Sequence, residues 1–447
     1  MLRSWSLRVS VVFLAAVAGC DGTSKAIDPF PIPIDLTAGP VILRAQENDG
    51  EVLDIVVDVL SPITVLDSFC VGDEVTEPQR RRVEVTLYGA NDPPIPRVRF
   101  SQTTAYDLHS CFPSEELCVA GNEETPRTVF GILGFDILTR TSVRFNFPSS
   151  ELRFFPDTAG STLERTAACD AVFDSPYGGG GTMLIAESEV RFGGWRATLG
   201  VCVHHEAIVA PDLLEVPDPE DPDADIVRVS AVGTDLQLAI STAIGPSLMT
   251  EEAYRRYSSS SEDIPEFESL EVTTLFLPSR AIQGRKAQIP FMALTGDIGA
   301  DSDGRGPCRE LYANARMRIS RSCADNAVDC PCPDNEKSCK AAAAVELSHA
   351  IDIVIVDSGL ALLQALRDEL RPGVPELDGV LGVQALKTLQ VEFDFPNKRL
   401  LMRCKELGTC TTRPQVTNQT TLSALDECAS AEDEIRDGID QDAGIVP

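Results

Sequence analysis

The residues that could do chemistry in this 447-residue chain are few. Asp58 lies within an apolar strand pattern, Val52 to Leu66 (VLDIVVDVLSPITVL). A second such pattern, Leu236 to Met249 (LQLAISTAIGPSLM), superposes on the first with Ser241 at the place of Asp58 and Thr64, Val65 and Leu66 on Ser247, Leu248 and Met249. A third acid, Asp357, stands in Val356-Asp357-Ser358-Gly359. Near the C-terminus Asp437, Asp440 and Asp442 alternate around Gly438, an arrangement of hard oxygens that suits calcium, although a solvated acidic tail is the reading preferred. The cysteines Cys308, Cys323, Cys330, Cys332 and Cys339 cluster without a nearby His or the two-residue spacing of a zinc knuckle, so disulfides staple this segment rather than a metal. No serine-nucleophile motif and no phosphate loop occurs; Gly178 to Gly181 lacks the Lys and Ser/Thr that a phosphate loop requires.

The elements that must position these groups are mainly β. Residues 131–154 (GILGFDILTRTSVRFNFPSSELRF) and 379–402 (GVLGVQALKTLQVEFDFPNKRLLM) align without a gap, with nine of 24 positions identical. The identities include Gly131/Gly379, Leu133/Leu381, Gly134/Gly382, Phe145/Phe393 and Pro148/Pro396. Val143, Phe145 and Phe147 alternate, as do Val391, Phe393 and Phe395, the pattern of a half-buried strand closed by a Pro turn. Two copies so far apart mean two equivalent lobes, not a solenoid. Each lobe places its apolar strand upstream of its repeat. A helix is expected from Thr250, with Glu251 and Glu252 in its first turn, and Glu189 to Leu199 is expected to form a hairpin turning at Gly193-Gly194.

Asp and Glu outnumber Lys and Arg by 69 to 38, a net charge of -31, which opposes nucleic acid or anionic lipid as partners through long-range repulsion. With 43% hydrophobic residues the chain can still bury a core. Arg3 and Arg8 precede an apolar stretch, Val9 to Ala18, too short to span a bilayer and of the length of a signal-peptide core. It ends in Val17-Ala18-Gly19-Cys20, which resembles the lipobox of bacterial lipoproteins, in which the thiol of the Cys is acylated. The resemblance implies export, a diacylglyceryl and palmitate anchor on Cys20, and location in the bacterial cell envelope. Thirteen cysteines then remain, and in an exported chain they point to disulfides.

Together the two apolar strands and the two Gly-Xaa-Leu-Gly phrases resemble the bilobal pepsin-like aspartic peptidases and their single-lobed retroviral relatives. In that family each lobe carries an apolar strand ending in Asp-Thr-Gly, and a later apolar-apolar-Gly strand crosses the loop that holds the Asp. Ile132-Leu133-Gly134 and Val380-Leu381-Gly382 match the later strand. The resemblance spans roughly residues 40 to 403 and implies a fold of two β-barrel lobes with few short helices. The implied division is a signal peptide (1–19), a tether (20–35), an N-terminal lobe (36–160), a C-terminal lobe (161–404) with a Cys-rich insertion (300–345), and an acidic tail (405–447).

The chemistry of that family needs two carboxylates about 3 Å apart sharing one proton, one to activate water and one to protonate the substrate carbonyl. Here the first position reads Asp58-Val59-Leu60, keeping the acid but losing Thr and Gly. The second reads Ser241-Thr242-Ala243, keeping Thr but replacing the acid with a hydroxyl. The resemblance therefore implies a degenerate peptidase: a groove between the lobes that binds an extended peptide or protein ligand without cutting it, with no cofactor. Two alternatives stand beside it. One is an active endopeptidase pairing Asp58 with an unconventional acid such as Asp357; the other is a structural surface lipoprotein that binds calcium at its tail. Asp357 lies only about twenty residues before Gly379, which favours a strand-to-helix turn there.

Overall fold

The computed structural model describes residues 31–66, 79–88, 96–107, 119–139, 141–155, 171–174, 180–185, 188–193, 196–204, 233–258, 272–277, 280–296, 342–368, 376–404 and 410–414. Cys20, the five clustered cysteines and the acids Asp437, Asp440 and Asp442 lie outside them.

The first half contains β1 (Ile32–Pro33), β2 (Ile42–Glu47), β3 (Val52–Val57), β4 (Val65–Leu66), β5 (Gln79–Tyr88) and β6 (Pro96–Asp107). These are followed by β7 (Val119–Asn122), β8 (Arg127–Thr128), β9 (Gly131–Leu133), helix α1 (Phe135–Leu138), β10 (Ser142–Asn146) and β11 (Glu151–Phe155). The second half opens with β12 (Ala171–Asp174), β13 (Gly180–Ile185), β14 (Ser188–Gly193), β15 (Thr198–His204), β16 (Thr234–Ile240) and β17 (Ser247–Thr250). Helix α2 (Glu251–Ser258), β18 (Val272–Leu277), β19 (Arg280–Ile289), β20 (Phe291–Gly296), β21 (Ala342–Leu347) and β22 (Ile351–Val356) come next. The half ends with α3 (Ala361–Asp368), β23 (Gly379–Leu381), α4 (Val383–Leu386), β24 (Leu389–Asp394), β25 (Arg399–Cys404) and β26 (Cys410–Pro414).

Six strands of the first half close a barrel in the order β2-β3-β9-β4-β6-β5. The second half repeats that order as β15-β16-β23-β17-β22-β19 within a larger sheet. Only Pro290 separates β19 from β20; β19 pairs with β22 and β20 with β15, so one bent strand does what β5 does alone. Pro lacks the ladder N–H, which explains why the bend falls there. The crossing at the heart of each lobe is also duplicated. β3 runs parallel to β9 while β4 runs antiparallel to it, and β16 and β17 flank β23 in the same two senses. The architecture is mainly β, with the strand order of the first-half barrel repeated in the second half.

A six-stranded sheet, β1-β11-β10-β24-β25-β12, joins the halves. At its centre the two copies of the sequence repeat pair with each other, Val143 against Phe393 and Phe145 against Val391. Arg144 faces its own counterpart, Glu392, so a pseudo-twofold axis passes between them. Exact duplication would oppose like charges there; Arg against Glu instead makes an ion pair of 2.8 Å. The alternating Phe and Val side chains are buried beneath, with Phe145 and Phe393 edge to face at 5.7 Å.

Three local expectations compare with the coordinates as follows. Helix α2 starts where expected, with the Ala253 N–H donating to Thr250 Oγ1 at 3.1 Å. Residues 32–35, assigned to the tether, include β1, and both Ile32 and Ile34 are buried. The expected hairpin across Gly193-Gly194 is not formed: β14 pairs with β13, Phe192 opposite Gly181. β15 takes its partners from β16 and β20, so it does not pair back on β14, and Gly194 and Trp195 lie outside the described residues.

Candidate functional site

Both candidate positions follow directly from the duplicated crossing. Asp58 is the first residue past β3 and its N–H donates to Leu133 O at 3.0 Å; Ser241 is the first past β16 and its N–H donates to Leu381 O at 3.0 Å. The loops that follow are held from below by matching bonds. Phe135 N–H donates to Ser61 O and Val383 N–H to Ile244 O, each at 2.8 Å. Gly134 N–H donates to Thr64 Oγ1 and Gly382 N–H to Ser247 Oγ, each at 3.1 Å. The four repeated glycines mark contacts of backbone on backbone. A Cβ on Gly131 would stand 2.0 Å from Val65 O and one on Gly379 2.0 Å from Leu248 O, while on Gly134 and Gly382 it would stand 2.1 Å from Ile63 O and 2.4 Å from Pro246 O. They build the loops; they do not contact a reacting group.

The two loop tips meet. Asp58 Oδ1 accepts hydrogen bonds from Ser241 Oγ at 2.9 Å, Leu60 N–H at 3.0 Å and Thr242 N–H at 3.2 Å. Ser241 Oγ accepts in turn from Ala243 N–H at 3.1 Å, the counterpart of the Leu60 bond. The two loops thus share the same bond from the backbone N–H two residues on, to a carboxylate in one and to a hydroxyl in the other. Thr242 ties the lobes together: its hydroxyl donates to Val57 O at 2.6 Å and accepts from Val59 N–H at 3.2 Å. Val59, its counterpart in the first half, has no hydroxyl to return the grip.

Asp58 is 7% exposed and Ser241 1%. Burial pushes the Asp58 carboxyl above its ordinary value, opposed by the hydrogen bonds from Leu60, Ser241 and Thr242 and by the nearby Arg196 cation. None of these neighbours is acidic. A serine hydroxyl does not ionise in this range, so the pair cannot share a proton as two carboxyls do. One buried acid can take a proton from water, but its partner can offer a substrate carbonyl only a neutral hydroxyl.

Asp357 is placed elsewhere. It directly follows β22, is exposed, and accepts from Gly359 N–H at 2.6 Å within its own turn ahead of α3. That is a strand-to-helix turn, and no contact brings Asp357 to Asp58 among the described residues.

Sequence reasoning missed Arg196. It immediately precedes Ala197 and β15, is 2% exposed, and its Nη1 donates to Leu60 O. Its guanidinium lies 5.9 Å from the Phe135 ring centroid. The signal in the sequence is a lone cation just ahead of the apolar stretch Leu199 to Val203, a setting that an Arg tolerates only when it is paired. Among the described residues no group of three or more His, Cys, Asp or Glu is placed to hold a metal ion.

No family model matches the chain, and no curated protein matches it. Among solved structures it is similar to the aspartic proteinase from Irpex lacteus, at 11% identity over 85% of this chain and 98% of that one, with a TM-score of 0.32. It is also similar to the basic 7S globulin from soybean, at 10% identity over 84% of this chain and 94% of that one (TM-score 0.38). Conglutin gamma, a basic 7S globulin from lupine seeds, shows 9% identity over the same shares, with a TM-score of 0.36.

Proposed function

We propose that the chain is an exported, lipid-anchored protein of the bacterial cell envelope whose pepsin-like body holds an extended peptide between its lobes without hydrolysing it. The observation that carries the non-hydrolytic half is the 2.9 Å hydrogen bond from Ser241 Oγ to Asp58 Oδ1: a neutral hydroxyl stands where peptide hydrolysis requires a second carboxyl. The loops around it are intact, so the scaffold outlasts the chemistry. Extended peptide is the ligand class because a cleft between two β lobes presents backbone groups to which a strand can bond. Export and anchoring are supported by the Val17-Ala18-Gly19-Cys20 motif after its short apolar stretch.

The test is fluorescence anisotropy with labelled extended peptides, followed by mass spectrometry of the recovered peptide. Saturable binding with the peptide intact supports the reading. Cleavage at acid pH that Asp58→Asn abolishes overturns its non-hydrolytic half, and absence of saturable binding overturns its ligand half. Incorporation of labelled palmitate, lost in Cys20→Ser, is the expected result for the anchor; equal labelling of both chains contradicts it.

A further inference from the structure

The third residue of each loop tip crosses into the opposite lobe. Ala243 packs with Ala38, Ile42, Val56, Ala120 and Val129, all from the first half. Leu60 makes the reciprocal insertion. It is 4% exposed and belongs to a buried cluster whose other members, among them Ala239, Leu275, Val356 and Leu363, all come from the second half. The carbonyl of the same residue accepts from Arg196, also of the second half. Both the side chain and the backbone acceptor beside Asp58 are thus engaged by the other lobe, and Arg196 lies close enough to Asp58 to act on its charge.

We infer that Leu60 and Arg196 form an internal latch between the two halves that closes over Asp58. Arg196 holds the Leu60 carbonyl, so this backbone acceptor beside Asp58 is not offered to an incoming strand. Releasing Leu60 uncovers apolar surface in the second lobe as well as freeing the carbonyl, so the two contacts open together or not at all. The latch closes Asp58 off whether or not the cleft takes a ligand elsewhere along its length, so its test does not depend on peptide binding.

The experiment is carbodiimide coupling of an amine to carboxyl groups in the intact, full-length protein, with the rate at each site read by peptide mass mapping. Asp49, which is exposed, serves as the internal reference. Expected is slow coupling at Asp58 relative to Asp49, rising about tenfold or more in Leu60→Ala and in Arg196→Met, because reaction at a covered group follows its local opening equilibrium. Leu347→Ala, in the second half, empties a different buried cluster, one that does not include Leu60, and its Asp58 rate is expected to stay near that of the parent. Coupling at Asp58 as fast as at Asp49 in the parent protein overturns the inference. So does an equal rise in Leu347→Ala, which would assign the effect to general loosening. Should Leu60→Ala fail to fold, the comparison of Arg196→Met with Leu347→Ala decides.

Discussion

Replacing Ser241 with Asp tests the electrostatic reasoning at the centre of the site. Ser241 Oγ sits 2.9 Å from Asp58 Oδ1, with Ala243 N–H already aimed at it. A carboxylate there comes within about 3 Å of Asp58, and at an effective dielectric near 20 two full charges at that distance repel by about 5 kcal/mol. The folded protein escapes by keeping one proton on the pair, so the pair's last proton is held several pH units above the ordinary carboxylate value. The sign follows from linkage. A carboxyl whose folded pKa is raised binds its proton more tightly in the folded than in the unfolded state, so stability is greatest below about pH 4 and falls as pH rises toward the folded value. Asp58 alone already bears some of this burden through burial. The quantity to read is therefore the extra loss in Ser241→Asp relative to the parent: near zero at pH 4 and about 3 to 4 kcal/mol at pH 7. Urea unfolding of both proteins at half-unit steps from pH 4 to 8 measures it. A stability difference that does not change with pH would refute the reasoning, because it would mean that the introduced carboxylate points away from Asp58.

Three further outcomes are expected. Gly131→Ala drives a Cβ to 2.0 Å from Val65 O and should cost at least about 3 kcal/mol in urea unfolding, since backbone on both sides has nowhere to move. Arg144→Met removes the 2.8 Å ion pair to Glu392, 2% exposed, where the two halves meet. About 3 to 5 kcal/mol should be lost, and Arg144→Met with Glu392→Leu should regain most of it. Asp35 is raised by partial burial, but bonds from Thr37 and the Arg127 cation outweigh this and hold it below its ordinary value. Its stabilisation is present above the unfolded carboxylate pKa near 3.8 and is lost as pH falls through the lower folded value, so Asp35→Asn should be destabilised relative to the parent at pH 7 and nearly matched to it at pH 2 by thermal melting.

Much of the site was legible because duplication writes the same requirement twice. Gly131 and Gly379 recur because a close backbone crossing admits no Cβ, and that need is local to each copy. The pairing of Asp58 with Ser241 could be read from matched apolar strands, and the turn at Asp357 from its short distance to Gly379. The features that escaped depend on partners distant in the chain. The glycines at 193–194 imitate a hairpin turn, but the partner of β14 is β13 and that of β15 is β16. Strand β7, from the first half, pairs with β18 of the second at Gly121 and Asn122, a junction with no local pattern to announce it. Leu60 could be seen to be too large for a Gly position, but its route into the other lobe's core is a property of packing, and the same holds for Arg196.

The central claim, that a buried acid with a hydroxyl partner does not hydrolyse peptides, is tested most directly by incubating the purified protein with an unfolded protein substrate from pH 3 to 6. Mass spectrometry would then be used to search for new termini. The account predicts none above the level given by Asp58→Asn. Cleavage by the parent protein that Asp58→Asn removes would contradict it, since one carboxyl and one serine would then be sufficient.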